Sequence, residues 1–324
     1  MALKCSVIKS NRPCPITGSS EAYEVCNVDR NRKVLRNIIS SKSGLVYVDP
    51  VPFENTEEFY KTDYRKSYKG VHQPKPKHVY RAGKVALERF SKVKNHLMPK
   101  ANCLDAGSSS GEFVYLLSSR GFNAQGVEAN LPYAEYSQAE LALTVTKSPF
   151  SEFKTQEKFD AITMFHVLEH LEHPVRDLSH LGRFLKPGGK FFIEVPNILY
   201  PDMAFLHKWH PGHLFSFTDK TLALLLEKAG FKTVSCASIG DGGNLWGVFE
   251  KPKSPLESST TVTKKLYANR VLEDLIKQRI GYYLRVFNFI KLFRKIPTMI
   301  SEKKKSKGLS GKRILDLLYK DCHH

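Results

Sequence analysis

Residues 102–111 read Asn102-Cys103-Leu104-Asp105-Ala106-Gly107-Ser108-Ser109-Ser110-Gly111, and Gly126-Val127-Glu128 follows. The apolar start of this stretch predicts a short strand that stops at Asp105. Small residues from Gly107 to Gly111 make a tight turn, and a helix opens at Glu112. A second strand, over 122–127, ends in Glu128. A strand–turn–helix brings a ligand against the main chain at an electropositive helix N-terminus. An acidic side chain closing the next strand, about 20 residues on, is placed to accept hydrogen bonds from two ribose hydroxyls. The stretch therefore predicts an α/β fold that holds a nucleoside-containing cofactor.

Strands and helices alternate on either side of it. Upstream, Val79, Val85, Leu87, Phe90, Val93 and Leu97 keep helical spacing over 78–97. Downstream, the pattern predicts a helix over 131–142, strands over 143–147 and 159–165, a helix over 174–186 and a strand over 190–195. Lys186-Pro187-Gly188-Gly189 reads as the stop signal of that second helix. Residues 196–217 break the rhythm with Pro196, Pro201, Trp209 and Pro211. A helix follows over 218–229, ended by Gly230, and then strands near 232–238 and 244–250 around Gly240-Asp241-Gly242-Gly243. Such alternation implies a largely parallel sheet with helices on both faces. The closing pair implies an antiparallel hairpin at the sheet edge.

The flanks differ in composition. Residues 1–50 are turn-rich and contain cysteine, and end in the strand-like Gly44-Leu45-Val46-Tyr47-Val48. A helix carrying Phe59, Tyr60, Tyr64 and Tyr68 is predicted over 54–69. After a linker at 251–255, residues 262–296 form an amphipathic helix, 301–312 a basic and mobile stretch, and 314–319 a short apolar helix. The chain thus divides into a small N-terminal module over 1–70, a cofactor-binding domain over 78–250 and a basic helical extension over 251–324.

The 324 residues carry a formal charge of +18, spread as +11 over 1–100, −5 over 101–250 and +12 over 251–324. Basic flanks imply an anionic partner, namely a nucleotide-linked sugar, a membrane surface or nucleic acid, or else a merely solvated surface. No nucleic-acid-binding motif is present, which sets nucleic acid aside. No apolar run approaches the roughly 20 residues of a membrane span, and the N-terminus lacks the apolar stretch of a signal peptide. A cytoplasmic protein with reduced thiols is expected. The basic 262–296 helix either lies on the inner face of an anionic membrane or packs its stripe on the catalytic domain or a second subunit of a homo-oligomer, the commoner fate.

Further segments fall in order behind the turn. Residues 159–166, Phe-Asp-Ala-Ile-Thr-Met-Phe-His, run into Val167-Leu168-Glu169-His170, and Leu185 to Gly189 leads to residues 191–196, Phe-Phe-Ile-Glu-Val-Pro. Together with the turn, the region 78–250 resembles the class I S-adenosylmethionine-dependent methyltransferases. The resemblance implies a Rossmann-like seven-stranded mixed sheet with helices on both faces, its last strand antiparallel, and S-adenosylmethionine as cofactor. It places Asp105, Ala106, Gly107, Ser108, Ser109 and Gly111 at the methionine part, Glu128 and Ala129 at the ribose, Ser148 and Phe150 near adenine, and Phe165 and His166 beside the methionine moiety and the substrate. Ser109 stands where the family's turn has its middle glycine. A nicotinamide dinucleotide is the other cofactor the turn admits, but it wants a glycine where Val114 stands.

Methyl transfer to a hydroxyl needs alignment and a base, and histidine suits a base near neutral pH. The candidates are His166, His170 and His213; His173 and His180 are expected on an exposed helix surface. Glu194-Val195-Pro196-Asn197, then residues 213–217, His-Leu-Phe-Ser-Phe, resemble a subgroup acting on sugars and small metabolites. Its sugar C-methyltransferases often carry Glu-His where this chain has Gly212-His213, so O-methylation of a sugar or glycan hydroxyl by a single histidine fits better. Tyr64, Trp209 and His210 are the expected contacts to this small-molecule or glycan acceptor. Relatives in that subgroup begin with a zinc module built on two cysteine pairs; here Cys14 remains, Ser40, Ser41 and Ser43 replace the second pair, and Cys5 and Cys26 restore no paired spacing. No bound metal is therefore expected, the alternative being a rearranged site on Cys5, Cys14 and Cys26. The other readings are a lipid or quinone methyltransferase at a membrane surface and a non-catalytic scaffold on the same fold.

Overall fold

The structure, a computed structural model, describes residues 6–55, 58, 73–254, 265–282, 297 and 301–320. Tyr64, Cys5 and the expected helix around Tyr64 lie outside the described residues, as does 283–296 of the long amphipathic helix. The chain forms two compact units: residues 55–165, 180–192 and 289–324 make one, and 1–54, 166–179 and 193–288 the other.

The first unit holds the turn. Strand β5 (Asn102–Ala106) is buried from Cys103 onward. It pairs in parallel with β6 (Asn123–Glu128) on one side and β8 (Phe159–Phe165) on the other. Strand β7 (Val145–Lys147) extends the parallel run beyond β6. Helix α1 (Pro76–Val93) opens with proline in its first turn, where the missing N–H costs nothing. Helix α2 (Glu112–Ser119) buries Phe113, Val114, Leu116 and Leu117, and α3 (Leu131–Leu141) follows Asn130.

The seven-stranded order is β11-β12-β9-β8-β5-β6-β7, with β9 at Leu185–Pro196, β11 at Lys232–Ile239 and β12 at Asn244–Glu250. The edge pair β11 and β12 is antiparallel, as its glycine-rich turn implied. One boundary is corrected. Helix α4 (Pro174–Gly182) ends well before Lys186, and Lys186 to Gly189 lies inside β9. A Cβ at Gly189 would sit 3.0 Å from the Asp160 carbonyl oxygen. The glycine there permits close passage of a strand rather than stopping a helix.

In the second unit the N-terminal strands form an antiparallel sheet in the order β1 (Ile8–Lys9), β2 (Glu21–Val28), β3 (Val34–Ser40), β4 (Val46–Val48) and β10 (Phe215–Ser216). The segment 196–217 is therefore not wholly irregular: Phe215 pairs with Tyr47 and Ser216 with Val46. Arg12 donates to the Val48 carbonyl (2.8 Å) and lies over the Tyr47 and Phe215 rings, which fastens the pairing. Helix α5 (Asp219–Lys228) starts from a Thr218–Thr221 capping box. The thiol of Cys14 is buried 3.2 Å from Ser43 Oγ, and Cys26 points its thiol at the Val28 carbonyl.

Both C-terminal helices pack on the chain itself. Helix α6 (Lys265–Gly281) buries Ala268, Val271, Leu272 and Leu275, the last three in a cluster with Tyr23, Ile39, Val46, Ile198, Phe205 and Trp209. Tyr267 Oη and Thr218 Oγ1 share a 2.6 Å hydrogen bond. Helix α7 (Gly311–Lys320) buries Ile314, Leu315 and Tyr319 in the other unit. There Tyr319 donates to the Glu112 carbonyl at 2.9 Å, behind the turn. Residues 301–306, expected to be mobile, are helical, and Glu302 is buried and pairs with Arg81 at 2.5 Å.

Candidate functional site

Two groups of chemistry-bearing residues stand out, each within one unit. The first is the turn itself. Gly107 and Gly111 take φ of +81° and +87°, a region open to glycine at little cost. Ser109 also has a positive φ, +52°, so a side-chain-bearing residue holds a left-handed conformation there. The Ser109 N–H donates to Glu128 Oε2 (2.7 Å) and the Asn130 N–H to Glu128 Oε1 (2.8 Å). Each carboxylate oxygen offers two lone pairs, so one on each remains for a ribose hydroxyl. Gly126 is required here, since a Cβ would lie 2.5 Å from Ser108 Oγ.

Asp105 is buried at the end of β5 and accepts a 2.6 Å hydrogen bond from Thr163 of β8. Burial pushes its carboxyl up to about 6, against the Thr163 hydrogen bond and the Arg89 charge. Phe165 meets Phe113 edge-on at 5.1 Å, and Arg89 lies over its ring at 4.5 Å. Ser108 Oγ and Ser148 Oγ are buried without a hydrogen-bond partner among the described residues. Phe150 opens a short turn after β7, and Ala129 is half-buried beside Glu128. Unsatisfied hydroxyls, a carboxylate with spare lone pairs and a buried Asp105 fit the methionine and ribose parts of S-adenosylmethionine.

The second group assembles around Glu169, which is 1% exposed. His166 follows β8 directly, with φ +56°. Its Nδ1 lies 3.4 Å from Glu169 Oε1 and its Nε2 3.4 Å from Glu194 Oε1. Burial opposes a charged His166 ring, yet its bonds to Glu169 and Glu194 carry its pKa up to about 9. Burial likewise opposes ionised Glu169, but His166, His170 and His213 hold it down near 2. His170 Nδ1 is 2.7 Å from the Gly212 carbonyl oxygen. A carbonyl only accepts, so Nδ1 carries the proton and Nε2 the lone pair. Burial and the neighbouring His170 keep His213 neutral, with its pKa well below the usual value. His210 stacks on His213 at 4.5 Å, and its Nδ1 accepts the Gly212 N–H at 2.9 Å. Asn244 of β12 donates to Glu194 Oε1 at 2.8 Å.

The sequence-expected residues separate accordingly. Asp105, Glu128 and the turn come together as expected, and His166, His170 and His213 meet around one carboxylate. Trp209, expected at the acceptor, is instead a core residue at 1% exposure, edge-on to Phe205 at 5.3 Å. His210 is buried and shapes the loop that presents His213. His180 is not an idle surface residue either, since its Nε2 bonds the Phe153 carbonyl at 2.8 Å. Glu169, Glu194, Asn244 and Thr163 also belong to these two groups, and the sequence did not single them out. Glu169 restores beside His213 the carboxylate that Gly212 lacks. The only available signal was its place between apolar Leu168 and His170.

Comparison with known proteins agrees with this layout. Residues 77–236 match a methyltransferase domain family. Among curated relatives, the ubiquinone biosynthesis O-methyltransferase of Nitrosococcus oceani is 29% identical over 117 residues, 34% of this chain and 50% of that protein. The enzyme of the same description from Pseudomonas aeruginosa is 30% identical over 101 residues, 29% of this chain and 44% of its own length. The chain thus spans about half the length of the curated relatives it matches. Among solved structures, a Thermotoga maritima protein described as an S-adenosylmethionine-dependent methyltransferase, possible histamine N-methyltransferase, aligns with TM-score 0.46 at 20% identity, over 61% of this chain and 100% of that one. The turn, the carboxylates that frame it, the strand order and the matched domain converge on one conclusion: residues 77–236 form a methyltransferase domain of the class I, S-adenosylmethionine-dependent type.

Proposed function

We propose that this chain methylates a hydroxyl oxygen of a sugar or glycan, with the cluster around Glu169 taking the hydroxyl proton. The cofactor supplies a methyl group on a sulfonium sulfur. Asp105 and the 107–111 turn hold its methionine part, and Glu128 its ribose. The acceptor oxygen displaces the sulfur at the methyl carbon, so a C–O bond forms as the C–S bond breaks. The hydroxyl proton leaves toward His213, the neutral imidazole of the cluster. The observation that carries this reading is geometric: a ring nitrogen of His213 lies within 4.8 Å of a buried Glu169 oxygen, with the His213 ring edge-on to His170 at 4.9 Å, and burial lowers the His213 pKa, which favours its neutral form. A neutral imidazole accepts a proton, and a neighbouring carboxylate stabilises the imidazolium that results. The likeness to sugar-modifying relatives around Glu194 to Asn197 and His213 to Phe217 supports a sugar, and the basic flanks suit a nucleotide-linked one.

A quinol acceptor is the second reading, favoured by the description of the relatives as ubiquinone biosynthesis O-methyltransferases. Radiolabelled S-adenosylmethionine incubated with nucleotide sugars, glycans and hydroxylated quinols separates the two. Label in a sugar hydroxyl is the expected result. Label only in a quinol overturns the acceptor class, and absence of cofactor binding in calorimetry overturns the reading as a whole.

A further inference from the structure

We propose that Glu169, His170 and His213 bind a divalent transition-metal ion. Each offers one ligand atom, and the three atoms lie within 4.8 Å of one another. Ligands at about 2.0–2.2 Å from one tetrahedral ion stand about 3.5 Å apart, so binding draws the three atoms together by about 1 Å.

Glu169 is the strongest part of the argument. Its carboxylate is 1% exposed, and among the described residues neither oxygen has a hydrogen bond of good geometry, the His166 ring being a long, poorly aligned contact. A buried charge without good partners is costly. His166 approaches Oε1 at 3.4 Å, but it has Glu194 as its other carboxylate, also at 3.4 Å. Glu169 is thus not committed to that ring.

The two imidazoles are already oriented. His170 gives its Nδ1 proton to the Gly212 carbonyl, which fixes the tautomer and turns the Nε2 lone pair to the Glu169 side, 4.0 Å from Oε1. A backbone carbonyl on the far nitrogen is the support that metal-binding histidines usually have. His213 is held between rings, stacked on His210 at 4.5 Å and edge-on to His170 at 4.9 Å. The Leu214 N–H donates to the Glu169 carbonyl at 2.7 Å, which ties the 168–170 turn to the segment carrying His213. The ligand set is therefore braced by main-chain bonds.

Two imidazoles and one carboxylate suit zinc, iron or cobalt rather than magnesium or calcium, which take oxygen ligands. Three protein ligands leave a position open, the pattern of a working site rather than a purely structural one. What the ion does there rests on the methyl-transfer reading: with the acceptor hydroxyl in the open position the ion would make it more acidic, and the proton would leave to water as the C–O bond forms and the C–S bond breaks. His213 then acts as a ligand, and the ion does the activating that the free ring would do. Binding of the ion does not depend on that reading.

The test uses the full chain, stripped with a chelator and titrated with Co2+ and then with Zn2+. Expected are one equivalent of Co2+ with the strong visible absorption of a low-coordinate site, displacement by Zn2+, and a higher Tm with Zn2+ present. Glu169→Gln and His213→Asn should each weaken binding by about 100-fold or more, beyond what loss of a supporting partner costs. His173→Ala, on the surface, should leave it unchanged. Calorimetry with S-adenosylmethionine checks that each variant is folded, and His170→Asn is the substitute for any that is not. Absence of Co2+ binding overturns the proposal, and so does equal affinity in the wild type and the ligand variants. A chain that binds Co2+ but not S-adenosylmethionine overturns the proposed function and leaves the metal site standing.

Discussion

The cofactor turn and the histidine–glutamate cluster are built by opposite means. The turn draws on one run of chain, 102–130, where β5, a glycine-framed loop and β6 follow each other directly. Its polar partners are mostly main-chain N–H groups within reach of Glu128. The cluster gathers His166 and Glu169 from the end of β8, Glu194 from β9, His210 and His213 from the approach to β10, and Asn244 from β12. Nothing in local sequence joins those segments. What joins them is strand pairing, including the β4–β10 pair. A site made by backbone conformation can be read from neighbours in sequence, whereas a site made by register waits for the fold.

The contrast can be broken at Trp209 with the largest effect. If the 196–217 segment is set by packing, Trp209→Ala should cost about 3–5 kcal/mol in urea unfolding. Unchanged stability with a lost acceptor affinity would return Trp209 to the binding side.

In the turn, Asp105→Asn should weaken S-adenosylmethionine binding about 10- to 100-fold in calorimetry, the range of a charge-assisted hydrogen bond. Its effect on stability should have the opposite sign. The Asp105 pKa is raised by folding to about 6, so the folded state holds the proton more tightly than the unfolded chain. Ionisation therefore costs stability as pH rises from the ordinary carboxylate range to about 6, and the penalty stays in full above that. At about pH 8 the Asn variant, which keeps an acceptor for Thr163, should melt higher, by up to about 3 kcal/mol of stability. A lower Tm there would show that the charge is met by more than Thr163 and Arg89.

The same group sharpens the contrast through pH. Cofactor affinity of the wild type should fall as pH drops through about 6, by up to tenfold per pH unit, because the methionine part loses its ionised partner. Asp105→Asn should flatten that profile. A fall that persists in the variant would place the titrating group elsewhere.

The smallest effect belongs to Ser109. With φ at +52°, Ser109→Gly relieves a left-handed conformation, partly offset by the greater freedom of glycine in the unfolded chain. The gain should be about 1 kcal/mol or less in thermal unfolding, with cofactor affinity unchanged. A marked loss of affinity would show that the hydroxyl itself contacts the cofactor.

Much of the first region was legible. Strand β5 runs one residue past its expected stop, to Ala106, while the turn, the α2 start at Glu112 and the acidic end of β6 stand where sequence places them. The α4–β9 boundary was not legible, because Pro187-Gly188-Gly189 breaks helices and also permits close strand passage. Only the neighbouring Asp160 main chain decides between the two. The histidines were legible as a set, but their roles were not. His170, His210 and His213 differ in what lies against each ring, namely a carbonyl, an amide N–H and other imidazoles.

By itself the sequence determined the alternation of strands and helices, the glycine-framed turn with its two carboxylates, and the methyltransferase domain these resemble. It did so because backbone conformation and hydrophobic period are set within a few residues. The tertiary structure alone decided that Trp209 is core, that the stripe of α6 packs in the 23–275 cluster, and that Glu169 centres the histidines. Burial and electrostatic environment depend on partners far along the chain, and those partners are fixed only when the strands pair.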